Sequence, residues 1–176
     1  MDKSIAIKLS LFAFVLLAIS ACEKTPRTVG DLSHKIRTVT YSIEDKNKIT
    51  RIELDGEFGS DEAHYFFTAS QEIYKILRKV TLYFPEDQQQ VHFLLKVRLQ
   101  NVYGKSSEQV VLEVPFSMKE VKKIKFYNSS SWDVLNNSDQ IRFAHPIGRN
   151  IIRSFCDDEN NWKRAQRFCL ASQSAR

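Results

Sequence analysis

Apolar and polar positions alternate in two long runs near the middle of the chain. Val91, Phe93, Leu95, Val97 and Leu99 alternate with His92, Lys96 and Arg98, and Val110, Leu112, Val114 and Phe116 follow with Glu113 among them. A period of two predicts strands with one buried and one wet face, and the turn-rich "NVYGKSSE" between them predicts an antiparallel hairpin. His92 falls on the polar side and reads as a solvated strand residue. Upstream, Val39, Tyr41 and Ile43 alternate with Thr38, Thr40 and Ser42. Asp45 to Lys48 reads as a turn, and Ile52 and Leu54 alternate again before Asp55-Gly56 breaks the run. This predicts a second hairpin, although Leu32, Ile36, Val39 and Ile43 also fit helical spacing.

Between the two hairpins the period changes. Ile73, Ile76, Leu77 and Val80 recur as a helical stripe, with Glu72 and Lys75 on the other side. Thr68 and Gln71 have the spacing of a capping box, so the helix is predicted to begin near Thr68 and to end before Pro85. The stripe suits packing on a sheet better than binding a partner helix. Ser117 and Glu120 form a second capping-box signature ahead of a short basic helix. "YNSSSWD" reads as a loop in which Trp132 is an anchor or a partner-binding aromatic. Pro146 suits a first helical turn, followed by the apolar positions Ile147, Ile151, Ile152 and Phe155. After the polar stretch 157–160, Trp162, Ala165 and Cys169 return at helical spacing. The order strands, helix, hairpin, helices predicts an α+β domain: a small antiparallel sheet with helices packed on one face and a C-terminal helical region.

The first residues follow a different pattern. Lys3 and Lys8 precede an apolar run from Leu9 to Ile19, about half of what a bilayer-spanning helix needs. Such a segment is a targeting signal and not part of the fold. It ends in Ile19-Ser20-Ala21-Cys22, which resembles the lipobox of bacterial lipoproteins. The resemblance implies cleavage before Cys22 and a diacylglycerol on its sulfur, usually with acylation (palmitate) of the new amine. Two or three chains hold a protein firmly where one does not. Glu23 stands where that family often has Asp for inner-membrane retention, so the resemblance favours the outer membrane of a Gram-negative envelope, facing the periplasm. The implied organisation is a signal peptide over 1–21, a lipidated N-terminus and tether over 22–32, and a single domain over 33–176.

Cysteine usage and charge then narrow the function. With Cys22 taken by lipid, two of the three cysteines remain, Cys156 and Cys169. An even pair in an oxidising compartment predicts a disulfide, since the spacing is too wide for a redox C-x-x-C and His145 alone does not complete a zinc site. The net charge is +5, with basic clusters at residues 119–125 and at Lys163, Arg164 and Arg167. In an exported protein these read as a solvated basic face near anionic lipid or cell-wall polymer, not as a nucleic-acid site. No G-x-S-x-G, Walker, H-E-x-x-H or EF-hand motif occurs. The histidines are scattered, and the acids Asp157, Asp158 and Glu159 read as a solvated connection. No catalytic residue, metal ligand, cofactor or small-molecule substrate is therefore expected.

The stretch "RSFCDDENNWKRAQRFCLAS", with its late cysteine pair and the small residue Ala171 after the second, resembles the exclusion lipoproteins of conjugative plasmids, which also carry a lipobox. The resemblance covers Ile19–Cys22 and Cys156–Ala171. It implies a protein in the recipient envelope that blocks redundant plasmid transfer by contacting a protein of the incoming machine, with no catalytic residues. Trp162, Lys163, Arg164 and Arg167 are the candidate contact surface. A structural lipoprotein of the host's own secretion or conjugation apparatus is the alternative, and a periplasmic enzyme or cell-wall binder the third.

Overall fold

A computed structural model describes residues 25–56, 61–86, 88–100 and 102–175. The expected signal peptide and the lipobox-like stretch with Cys22 lie outside these residues. The strands are β1 (Ile36–Glu44), β2 (Asn47–Leu54), β3 (Gln90–Gln100), β4 (Ser106–Ser117) and β5 (Arg142–Phe143), in the spatial order β1-β2-β3-β4-β5. The helices are α1 (Glu62–Tyr83), α2 (Met118–Val121), α3 (Ser131–Leu135), α4 (Pro146–Asp157), α5 (Glu159–Arg164) and α6 (Gln166–Gln173). The architecture is the expected α+β arrangement with one difference. Both hairpins and the β4–β5 pair are antiparallel, but β2 and β3 run parallel. The crossover through α1 carries the chain back to the starting end of the sheet, as a parallel pair requires.

The first hairpin forms as a hairpin and not a helix, pairing Glu44 with Asn47 across the two-residue turn Asp45-Lys46. Both turn residues have positive φ, 49° and 69°, the hand that matches the twist of the flanking strands. Asp tolerates this conformation; Lys adopts it at a cost. The register then divides the sheet into two faces. Ile52, Leu54, Val91, Phe93, Leu95, Leu112, Val114 and Phe116 form the inner face and are fully buried. They pack in one core with Phe66, Ala69, Ile73, Ile76, Leu77 and Val80 of α1 and Ile151, Ile152 and Phe155 of α4. Each such side chain contributes about 1.5–3 kcal/mol on burial.

α1 begins earlier than the Thr68–Gln71 spacing predicts. Asp61 is the N-cap, its carboxylate accepting from the His64 amide at 2.8 Å, and Thr68 lies two turns inside the helix. The cap wins because the apolar stripe extends back through Tyr65 and Phe66, both buried. The second capping-box signature is realised only in part: Ser117 is the N-cap of α2 but its hydroxyl makes no capping bond. The tether expectation is also corrected. Val29 and Leu32, in a short 3-10 turn, are each 2% exposed, and Lys79 Nζ donates to the Leu32 carbonyl at 2.8 Å. Two apolar side chains had a core to enter, so the domain starts several residues before 33.

β5 is a two-residue strand with no periodic signal. It exists because β4 bulges. The extra residue is Val111, whose carbonyl accepts from the Ala144 and His145 amides at 3.1 and 3.3 Å. α4 then starts against this bulge with Pro146 in its first turn, and Gly148 is the point of contact. A Cβ at Gly148 would stand 2.2 Å from the Val111 oxygen, so only glycine lets helix and sheet meet.

Candidate functional site

The C-terminal region folds into a helical elbow. Cys156 at the end of α4 and Cys169 in α6 form the expected disulfide, with Cα atoms 5.7 Å apart. The bridge closes over an aromatic cluster in which Phe66 of α1 meets Phe155 edge-on at 4.9 Å and stacks on Phe168 at 5.4 Å. The polar stretch 157–160 is barely a connection. The Asp158 carboxylate caps α5 by accepting from the Asn161 amide at 2.9 Å, so α5 starts at once. α5 ends at Arg164, Ala165 is fully buried, and α6 leaves in a new direction.

α3 holds this break from outside the elbow. The Asn136 side chain donates to the Arg164 carbonyl at 2.8 Å and accepts from the Phe168 amide at 3.1 Å. It thus satisfies the end of one helix and the start of the next. Trp132 Nε1 donates to Asn161 Oδ1 at 3.1 Å, and the Trp132 ring lies 5.4 Å from Phe67. Trp132 is therefore an anchor. The Arg164 guanidinium lies over the Trp132 ring, 4.7 Å from its centroid.

The four residues singled out for contact divide accordingly. Lys163, Arg164 and Arg167 are exposed at the elbow. Lys163 pairs with Glu159 at 2.6 Å, which leaves a surface ion pair of small energetic weight. Trp162 is half-buried and packs against the core, so it supports the surface more than it forms it. Asn136 and Asn161 were not singled out by the sequence. Both lie in polar stretches with no period, where a structural amide has the same signature as a solvated one.

A second cluster lies on the outer, helix-free face of the sheet. His92 is on the polar side of β3, as its alternation predicts, but it is 2% exposed and not solvated. Its Nδ1 is 2.5 Å from Glu113 Oε1 and its Nε2 is 3.1 Å from Gln90 Oε1. Glu113 is also 3.6 Å from Arg142 and 4.0 Å from Arg51, which in turn pairs with Glu44 at 2.8 Å. The hydrogen bond from His92 holds the Glu113 carboxyl below the usual range against the opposing effect of burial, with Arg142 and Arg51 adding to it. Neighbouring polar side chains bury the imidazole here, which alternation alone does not register.

His92 also borders a cleft of about 690 Å³ with Ser117, Asp139, Arg142 and Ser174. Both of its ring nitrogens already face oxygen partners, so the cluster as it stands is a brace across β2, β3 and β4. Among the described residues no group of three or more His, Cys, Asp or Glu side chains is placed to hold a metal ion. No helix among them is long and apolar enough to cross a membrane.

The fold and elbow together define a small α+β domain with a disulfide-braced helical region. No protein-family model, curated protein or solved structure matches the chain.

Proposed function

We propose that this chain is a lipid-anchored protein of the Gram-negative envelope that faces the periplasm and acts by protein–protein contact. Its most specific form is exclusion: in a recipient cell it blocks redundant conjugative transfer by engaging an envelope protein of the incoming machine. The outer membrane is the favoured site of anchorage, through lipid on Cys22. The observation that carries this reading is the pairing of a lipobox cysteine with the formed Cys156–Cys169 bridge, the two features on which the resemblance to exclusion lipoproteins rests. The disulfide also suits an exported chain, since such bonds persist in oxidising compartments. The elbow supplies a surface: Arg164 and Arg167 project from a frame fixed by the disulfide, Asn136 and Trp132. Confinement to a membrane raises effective concentration, so a modest contact suffices for a block.

A mating assay tests this. Recipients expressing the protein, or its Cys22→Ser variant, are crossed with donors of related and unrelated conjugative plasmids. The expected result is a drop in transfer for the related plasmid alone, lost with Cys22→Ser. Unchanged transfer at normal protein levels refutes exclusion. Loss of donor ability on deleting the gene would instead favour an assembly part of the host's own apparatus.

A further inference from the structure

The chain is fixed to the domain much closer to Cys22 than a flexible tether would allow. The Arg27 and Thr28 amides donate to the Asp31 carboxylate at 3.0 and 2.8 Å, and Val29 and Leu32 are buried. Ser33 bonds Glu72, and Lys79 bonds the Leu32 carbonyl, so this anchorage lies on the flank of α1. Only Glu23 to Pro26 separate Cys22 from Arg27. Fully extended, that chain reaches on the order of 18 Å. A domain of this size has a radius of gyration of roughly 15 Å, and so a diameter well above that reach. A lipid on Cys22 therefore keeps the α1 flank within touching distance of the bilayer.

The face that α1 turns to solvent beside this flank matches such a surface. Lys75, Arg78 and Lys79 are exposed on it, and near the helix end Leu82 is 67% and Tyr83 40% exposed. Along the helix the adjoining acids Glu72 and Asp31 are engaged, Glu72 with Ser33 and Lys75 and Asp31 with the backbone of residues 27 and 28, and past its end Glu86 faces Lys122 at 4.0 Å. Cationic side chains with apolar stems around an exposed leucine and tyrosine are the composition of an interfacial helix face.

We propose that the outward face of α1, with Lys75, Arg78 and Leu82, lies on the headgroups of an anionic phospholipid bilayer. This rests on the lipid-anchor reading of Cys22. It orients the molecule, because α1 covers the inner face of the sheet and its outward side is opposite the outer face. The outer sheet face, with Thr40, His92 and Glu113, then points away from the membrane.

The test uses the full lipidated protein in vesicles, with Leu82→Cys or Thr40→Cys carrying an environment-sensitive dye. Vesicles are neutral phosphatidylcholine, with or without phosphatidylglycerol, and iodide is the aqueous quencher. With phosphatidylglycerol, quenching at position 82 should fall about threefold relative to position 40, and Arg78→Glu should restore it while the protein still floats with the vesicles. Intact mass reports the acyl chains on Cys22. An acylated protein with equal quenching at both positions overturns the orientation alone. A protein without acyl chains overturns the anchor reading and the orientation with it.

Discussion

Glu113 is a single carboxylate asked to serve one imidazole and two guanidinium groups. It sits on the outer face of the sheet 2.5 Å from His92 Nδ1, with Arg142 and Arg51 further off. Because its carboxyl is held below the ordinary value of 4.5, folding favours the ionised form. That stability is fully present above the ordinary value and is lost as pH falls through the lowered one. Thermal unfolding followed from pH 7 to pH 3 should therefore show the wild-type protein losing stability in acid. Glu113→Gln should be less stable at pH 7 by about 1–3 kcal/mol, since it removes the carboxylate charge that strengthens the bond from His92 and attracts Arg142 and Arg51. The gap between the two should narrow below pH 4. A constant gap across the range would mean that packing, not charge, is what Glu113 supplies. The sequence shows His92 and Glu113 at polar positions of neighbouring strands, with Gln90 two residues before His92 on β3, but the place of Arg51 opposite His92 depends on the parallel β2–β3 pairing and its register.

At the scale of elements, the elbow depends on α3 more than on its own helices. α5 and α6 are six and eight residues long, too short to be stable alone. The disulfide fixes α6 to α4, while Asn136 fixes the break between α5 and α6. Asn136→Ala removes both of its bonds and leaves the Arg164 carbonyl and Phe168 amide without that partner. The expected cost is about 1–3 kcal/mol in denaturant unfolding, with faster amide exchange at residues 164–168 than elsewhere in the domain. A uniform rise in exchange across the domain would show that the elbow has no separate brace. The elements legible in the sequence were those with an apolar period: β3, β4, the stripe of α1 and the face of α4. The boundaries that misled were set by tertiary partners. Thr68 and Gln71 have capping spacing, yet Tyr65 and Phe66 found core contacts and carried α1 back to Asp61. β5 follows from a bulge at Val111, and Val29 and Leu32 join the core without any local pattern to announce it.

For the whole molecule, the arrangement separates three surfaces. The α1 flank, where the chain leads back toward Cys22, is basic with an exposed leucine. The outer sheet face is ionic and cross-linked by Glu113. The elbow presents Arg164 and Arg167 beside Lys163 on a disulfide frame. A protein held to a membrane on the first surface has the other two available for contact, and Arg164 and Arg167 are exposed on the elbow. The fold class and the disulfide were readable from period and cysteine count. The shortness of the tether was not, because it depends on Asp31 gathering the amides of Arg27 and Thr28.

The most direct measurement is the transfer frequency into recipients that carry Arg164→Glu with Arg167→Glu, compared with wild type at equal abundance and equal thermal stability. The account predicts that the double variant, still acylated and folded, loses the block against the related plasmid. A variant that excludes as well as wild type would contradict the elbow as the contact surface.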